Sequence, residues 1–282
     1  MKTIKGDTKV YAILGSPVKH SRSPDMHNAA FLELQINACY VPLEVKINEI
    51  ESVCEMIRSD TIAGSNVTIP YKEEVVKYVD VLTEEASRIG SVNTLYSKQG
   101  KLVGDNTDGL GFEKSLFSDL EFNAENKSGI VLGAGGASKA VTTKLCQGEI
   151  ESLVIFDIDK KKAEELINHL QKFNYKSTID LISSNQINEF SFDSDLIVNC
   201  TPIGMKDDDP LLIAKEVFSK QHYVYDLIYA PLETKLLNFA KLKGAKIMNG
   251  MDMLAYQGAE SFSIWENVPP PYEIMKKELR NA

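Results

Sequence analysis

Cysteine is scarce, tryptophan nearly absent and basic charge in deficit. The 282-residue chain holds four cysteines (Cys39, Cys54, Cys146, Cys200), one tryptophan, and 31 Lys and Arg against 40 Asp and Glu, a formal charge of −9. No C-x-x-C pair occurs and the cysteines sit in apolar surroundings, which argues against zinc ligation and a disulfide framework; buried free thiols and no metal are expected. The acid excess supplies no basic face, so nucleic acid is not expected as a partner, although local lysines leave a small acidic substrate open. The start, MKTIKGDTKVYAILG, lacks an apolar export core, and no window approaches the roughly 20 apolar residues of a membrane span. A cytoplasmic protein without membrane contact is expected, as monomer or homodimer.

Two styles of alternation run along the chain. From Val10 to Asp108 short apolar strands (VYAIL, ACYVPLEV, GSNVTI) alternate with helical patterns (SPDMHNAAFLELQ, INEIESVCEMIRS), which favours a parallel or mixed sheet. After Ser128 the strands GIVLG, LVIFDI, TIDLIS, DLIVNCT, YVYDLI and AKIMNG are nearly continuous Val, Ile and Leu, the pattern of a parallel sheet with helices on both faces. After Gly250 only helical patterns remain. The expected fold class is therefore α/β with two domains: residues 1–108 completed by C-terminal helices 251–282, and a Rossmann-like dinucleotide-binding domain 109–250. A cleft between domains is the expected place for ligands.

Residues 129–140 read GIVLGAGGASKA. A strand ending in Gly133-Ala134-Gly135-Gly136, followed by a helix, is the turn that aims backbone N–H groups and a helix N-terminus at a pyrophosphate. The third glycine of the standard spacing is replaced by Ser138, so the glycine turn is a partial match. A second strand ending in an acid, Asp157, about 20 residues on strengthens it. At that place a carboxylate accepts hydrogen bonds from ribose hydroxyls and repels a 2′-phosphate, which favours NAD. Asp159 is expected to cap the next helix. Lys160, Lys161 and Lys162 keep NADP possible, since one of them could reach a phosphate.

A nicotinamide cofactor implies hydride transfer, so the first domain should hold a substrate and a proton relay. HSRSP precedes a helix with Pro24 at its first position and Ser23 as N-cap; Ser21 and Ser23 at a helix N-terminus make a seat for a carboxylate. In SNVTIPYK, Asn66 and Thr68 share one face of an otherwise apolar strand and deliver Lys72 at its exit. Polar groups so placed meet something, and a polyhydroxylated ligand would satisfy them. Asn93 in SVNT and the run DNTDG, residues 105–109, offer more of the same, although Asn and Asp before Gly also form plain turns.

HSRSP, NVTIPYK, SVNT, GDNTDG, GAGGA, NCTPIGM, DLIYAPLET and GMDMLAYQGA together resemble shikimate dehydrogenases, in that order and over nearly the whole chain. The resemblance implies reversible reduction of 3-dehydroshikimate to shikimate by a nicotinamide dinucleotide. It implies that Ser21 and Ser23 hold the substrate carboxylate with Tyr229 nearby, that Asn66, Thr68, Asn93 and Gln257 bind ring hydroxyls, and that Lys72 and Asp108 form the catalytic pair. It further implies a dinucleotide site of Gly133, Ala134, Gly135, Gly136, Ala137, Asp157, Thr201 and Gly250. Chemistry supports the pair independently: ketone reduction needs a proton for the developing alkoxide, and a nearby cation stabilises that charge. NADP-using members resemble one another in an Asn-Arg-Thr turn where this chain has Asp157, Ile158 and Asp159, which is similar to the NAD-using shikimate/quinate branch. Ala230 stands where the family commonly has Asn. Two alternatives are a catabolic quinate/shikimate dehydrogenase and a dinucleotide sensor without chemistry; retention of Lys72 with Asp108 argues against the sensor.

Overall fold

Short β-rich runs separated by helices become two six-stranded sheets. The computed structural model describes residues 4–281. They divide into one unit running to Gly111 and resuming at Leu254, and another, Phe112–Met253.

The first unit contains β1 (Lys9–Gly15), α1 (Ser23–Glu33), β2 (Ala38–Glu44), α2 (Ile50–Arg58), β3 (Gly64–Val67), β4 (Val81–Leu82), α3 (Glu84–Ile89), β5 (Thr94–Lys98) and β6 (Lys101–Asp105), after which α4 (Asp108–Lys114) begins. Strand order is β2-β1-β3-β5-β6-β4. β1 pairs in parallel with β2 and β3, whereas β5 runs antiparallel to both β3 and β6, so the sheet is mixed. The β5–β6 hairpin closes through Gln99 and Gly100, both at positive φ (55° and 74°), the backbone of a tight two-residue turn.

The second unit contains β7 (Ser128–Leu132), α5 (Gly136–Gln147), β8 (Ser152–Phe156), α6 (Lys160–Gln171), β9 (Thr178–Leu181), α7 (Ile187–Asp193), β10 (Leu196–Asn199), β11 (Tyr223–Asp226), α8 (Lys235–Leu242) and β12 (Lys246–Asn249). Its sheet is wholly parallel, ordered β12-β11-β10-β7-β8-β9. Alternate residues serve opposite cores: Ile130, Leu132, Val154, Ile197 and Val224 pack with Leu236, Leu237 and Ala240 of α8, while Val131, Ile155 and Val198 pack with Val141 and Leu145 of α5 and Leu166 and Leu170 of α6. Both faces being covered is why these strands read as unbroken apolar runs. Each such buried side chain contributes about 1.5–3 kcal/mol. Chain direction across the sheet reverses between β7 and β10, and ligands of such sheets bind beyond the strand ends at that reversal.

Two helices end the chain, α9 (Met251–Glu266) and α10 (Tyr272–Asn281). From Leu254 onward they complete the first unit. Trp265 Nε1 donates to the Leu95 carbonyl at 3.2 Å, Tyr11 Oη donates to Glu266 at 2.7 Å, and Arg22 donates to the Leu279 carbonyl at 2.9 Å. Among the described residues no helix is long and apolar enough to cross a membrane.

Candidate active site

Lys72 follows β3 and Asp108 opens α4. The Lys72 Nζ donates to Asp108 Oδ2 at 2.5 Å, with the two side chains only 15% and 6% exposed. The run DNTDG is thus more than a turn: Asn106 Oδ1 accepts from the Asp108 and Gly109 amides at 3.0 and 3.4 Å and caps α4, which orients Asp108. Asn93 Nδ2 donates to Asp108 Oδ1 at 3.0 Å and lies 3.2 Å from Gln257 Oε1. Lys72, Asp108, Asn93 and Gln257 therefore form one hydrogen-bonded group.

Asn66 joins that group through residues the sequence reading did not single out. Its Nδ2 faces Ser261 Oγ at 2.9 Å and Thr94 Oγ1 at 3.3 Å, and Thr94 donates to Asn93 Oδ1 at 2.8 Å. Thr107 adds a further hydroxyl, with Asn93 Nδ2 at 2.9 Å and Ser261 Oγ at 3.1 Å. Thr94 and Thr107 stand inside SVNT and GDNTDG, and Ser261 lies one helical turn beyond Gln257, so helix periodicity was the available signal. Tyr40, on β2, donates to Asn66 Oδ1 at 2.8 Å. Burial holds the Tyr40 phenol well above its usual range, while the Ser23 hydroxyl hydrogen-bonds to it. Thr68 lies half-buried just past β3, its amide bonded to the Leu14 carbonyl at 2.8 Å.

At the start of α1 the structure corrects one expectation. Ser23 is the first residue of the helix and Arg22 occupies the N-cap position, with no side chain capping it. Ser21 Oγ instead accepts from the Ser23 amide at 3.3 Å. Proline at the second helical position has no N–H to satisfy, which relieves the need for a serine cap. Ser23 is buried and Ser21 half-buried.

In the second unit Gly133 turns the chain at φ 103° and α5 starts at Gly136, so the loop Gly133-Ala134-Gly135-Gly136-Ala137 leads into a helix N-terminus beside the strand reversal. Asp157 lies just past β8, where its Oδ2 accepts from the Ala134 amide at 2.7 Å and its Oδ1 from the Asp159 amide at 2.8 Å. Asp159 occupies the N-cap position of α6, yet its side chain makes no capping bond, a second correction. Asp157 instead bonds the amide of the N-cap residue itself and leaves the first helical amides without a side-chain cap. Beside it opens a cavity of about 470 Å³ lined by Asp157, Ile158, Lys160, Ile182, Ser183 and Gln186, among others. Lys160 and Lys161 pair along α6 with Glu164 and Glu165 at 3.2 and 3.8 Å. Thr201, Tyr229 and Gly250 follow β10, β11 and β12 in turn.

A dinucleotide fits these groups. Gly135 has φ −81° and a Cβ built on it meets nothing within 4 Å, so protein packing does not demand glycine there. Gly135→Ala is expected to leave thermal stability near the parent's while raising the KM for dinucleotide about 10-fold, the equivalent of about 1.4 kcal/mol, because the methyl occupies the space a pyrophosphate approaches. Steady-state kinetics with a parallel melting curve check it; an unchanged KM removes the phosphate from this loop.

Comparison with known proteins agrees with the resemblance. Residues 13–95 match the family model for the shikimate dehydrogenase substrate binding domain, and residues 250–280 match that for the shikimate 5′-dehydrogenase C-terminal domain. Shikimate dehydrogenase (NADP(+)) of Desulforamulus reducens is 39% identical over 279 residues, covering 98% of this chain and 96% of the relative. The crystal structure of shikimate dehydrogenase from Aquifex aeolicus superposes with a TM-score of 0.90 at 37% identity, over 99% of this chain and 100% of that one. Shikimate 5-dehydrogenase of Listeria monocytogenes, solved in complex with shikimate and NAD, gives 0.89 at 30% identity over 99% of each chain. With relatives this similar along both chains' full length, the protein belongs to the shikimate dehydrogenase family.

Proposed function

We propose that this enzyme interconverts 3-dehydroshikimate and shikimate with a nicotinamide dinucleotide, using Lys72 and Asp108 as its catalytic pair. The observation that carries the assignment is the enclosed Lys72–Asp108 contact of 2.5 Å, set among Asn93, Gln257 and Asn66, within a chain of this family. The first unit then binds substrate and the second binds dinucleotide.

When bound, the dinucleotide supplies or accepts the hydride at the ring carbon. Everything else falls to the chain's own side chains. In reduction the ketone oxygen gains negative charge, and the Lys72 ammonium is the cation that stabilises it and donates a proton to it. Asp108 orients that ammonium and shares in holding the neighbouring hydroxyl, while Asn93 keeps Asp108 from rotating. Asn66, Thr68, Asn93 and Gln257 provide both donors and acceptors for ring hydroxyls, and Ser21 and Ser23 hold the carboxylate. A site built to pair substrate hydroxyls strongly rejects an analogue that lacks one, because its own buried polar groups are then left unpaired, so the same groups set specificity.

NAD is the preferred dinucleotide in this reading. Both Asp157 oxygens are anchored by backbone amides at the mouth of the cavity, and each retains a lone pair for a ribose hydroxyl. Thr201 and Gly250 complete the dinucleotide site. Four free cysteines accord with a cytoplasmic location. The quinate alternative is not favoured, since the relatives matched over nearly their full length bear the name shikimate dehydrogenase (NADP(+)), and a sensor has no use for the lysine–aspartate pair. A spectrophotometric assay crossing shikimate and quinate with NAD and NADP tests the reading; the largest kcat/KM is expected for shikimate with NAD, and absence of turnover with shikimate overturns it.

Ser21→Ala and Ser23→Ala are each expected to raise the KM for shikimate by removing a charge-assisted hydrogen bond worth about 1.5–3 kcal/mol. Because Ser21 is the residue bonded to the helix's first amide, the small loss of thermal stability should follow Ser21→Ala. A fixed KM in both variants relocates the carboxylate.

A further inference from the structure

β10 and β11 end in register at Asn199 and Asp226, two side chains with no solvent exposure. Asn199 uses its entire hydrogen-bonding capacity: Nδ2 donates to Asp226 Oδ1 at 3.0 Å and to the Ile203 carbonyl at 3.1 Å, and Oδ1 accepts from the amide and hydroxyl of Thr201 at 3.0 and 2.7 Å. Asp226 Oδ1 also accepts from the Ile228 amide at 3.1 Å, and Oδ2 accepts from the Thr234 hydroxyl at 2.6 Å. Thr234 in turn caps α8. Ile228 passes the order on, since its carbonyl accepts from the Gly250 amide at 3.1 Å. There a side chain is impossible: a Cβ on Gly250 would stand 2.0 Å from the Leu227 carbonyl oxygen. The segments carrying Thr201, Tyr229 and Gly250 therefore hang on one buried pair.

We propose that Asp226, acting with Asn199, is a positioning residue that holds the backbone presenting Thr201 and Gly250 to the dinucleotide. This rests on the reaction and site assigned above. Keeping a carboxylate here is unfavourable in itself, because burial pushes its pKa up to about 6 against the pull of Thr234, Ile228 and Asn199. Buried charges are seldom net stabilising, and an apolar replacement of similar volume is often neutral, so stability alone does not account for Asp226. What an apolar side chain cannot do is accept three donors from three separate segments. An asparagine can keep the Oδ1 half of that arrangement.

The experiment compares Asp226→Ala, Asp226→Asn and Asn199→Ala with the parent well below their melting temperatures. Readouts are KM and kcat for shikimate and NAD, and NADH affinity by fluorescence titration. Asp226→Ala is expected to raise the KM for NAD and weaken NADH binding about 10-fold, the scale of a small misplacement of binding groups. Asp226→Asn should return them to within about twofold of the parent. Asn199→Ala leaves the carboxylate with Ile228 and Thr234, so it is the variant for the case where Asp226→Ala does not fold; the same weakening of NADH binding is expected. A parental KM for NAD and parental NADH affinity in a folded Asp226→Ala or Asn199→Ala overturn the proposal. Failure of both to fold assigns the pair to folding and overturns it equally. A parent that does not oxidise shikimate defeats the reaction assigned above, and the NADH titration still decides the role of Asp226.

Discussion

Lys72→Ala is expected to lower kcat by at least about 100-fold, the scale of one lost acid–base or electrostatic group. The argument starts from geometry: the ammonium contacts Asp108 at 2.5 Å in a site where the two side chains are 15% and 6% exposed. In such surroundings charge is screened poorly, so a cation beside a developing alkoxide is worth far more than in water. NADH affinity should change little, because no dinucleotide group is assigned to Lys72. Asp108 keeps the Asn93 amide as a donor, so the variant should fold, although removal of one partner of an enclosed pair lowers the melting temperature. The stronger check is the cycle. If Lys72 and Asp108 act as a unit, Asp108→Asn loses activity as well, and the double variant is little worse than the poorer single one. A Lys72→Ala enzyme that turns over like its parent ends the assignment.

The legibility of this chain varied with the reach of the interaction that decides each feature. Strands β7, β8, β10 and β11 could be read because burial on both faces demands an unbroken apolar run, a local property. The β5–β6 hairpin was not read, since SVNT and DNTDG drew attention as polar clusters while the turn signal Gln99-Gly100 lay between them. Asn66 and Thr68 could be nominated because polar residues alternate where a strand should be apolar, whereas Lys72 and Asp108 were legible as a pair through the family resemblance. Tyr40 and Ser261 could not, because each becomes significant only when β2 and α9 are brought against Asn66. The expectation that Ser23 caps α1 failed by a single residue, with Ser21 making the bond to the first helical amide. Cap positions depend on local torsions that residue type only biases. Asp159 is a similar case: it stands at the N-cap of α6 without a capping bond, while its own amide donates to Asp157.

That bond bears on the dinucleotide, and the expected result is a kcat/KM about 100-fold higher with NAD than with NADP, a difference of about 2.7 kcal/mol. A 2′-phosphate brings a charge of about −1.5 to −2 and no hydroxyl proton to offer, so it meets Asp157 as a like charge where a ribose hydroxyl would donate to it. Rotation of Asp157 away from the phosphate would break its bonds to the Ala134 and Asp159 amides, both shorter than 3 Å at 2.7 and 2.8 Å. The competing force is Lys160, which lines the same cavity and is 75% exposed, with Glu164 only 3.2 Å away. An exposed pair of this kind is worth about 0–1 kcal/mol, so the lysine could be released to a phosphate. Two substitutions separate the contributions. Asp157→Asn keeps the size and can still accept from the Ala134 amide, while removing the repulsion; NADP use should rise relative to NAD by about 10-fold or more. Lys160→Ala should leave the parental NAD preference in place if the carboxylate decides it, and should cut NADP use in the Asp157→Asn background if the lysine then engages the phosphate. A parent that prefers NADP, with a ratio unmoved by Asp157→Asn, would reduce the carboxylate to a clamp between the glycine loop and the start of α6.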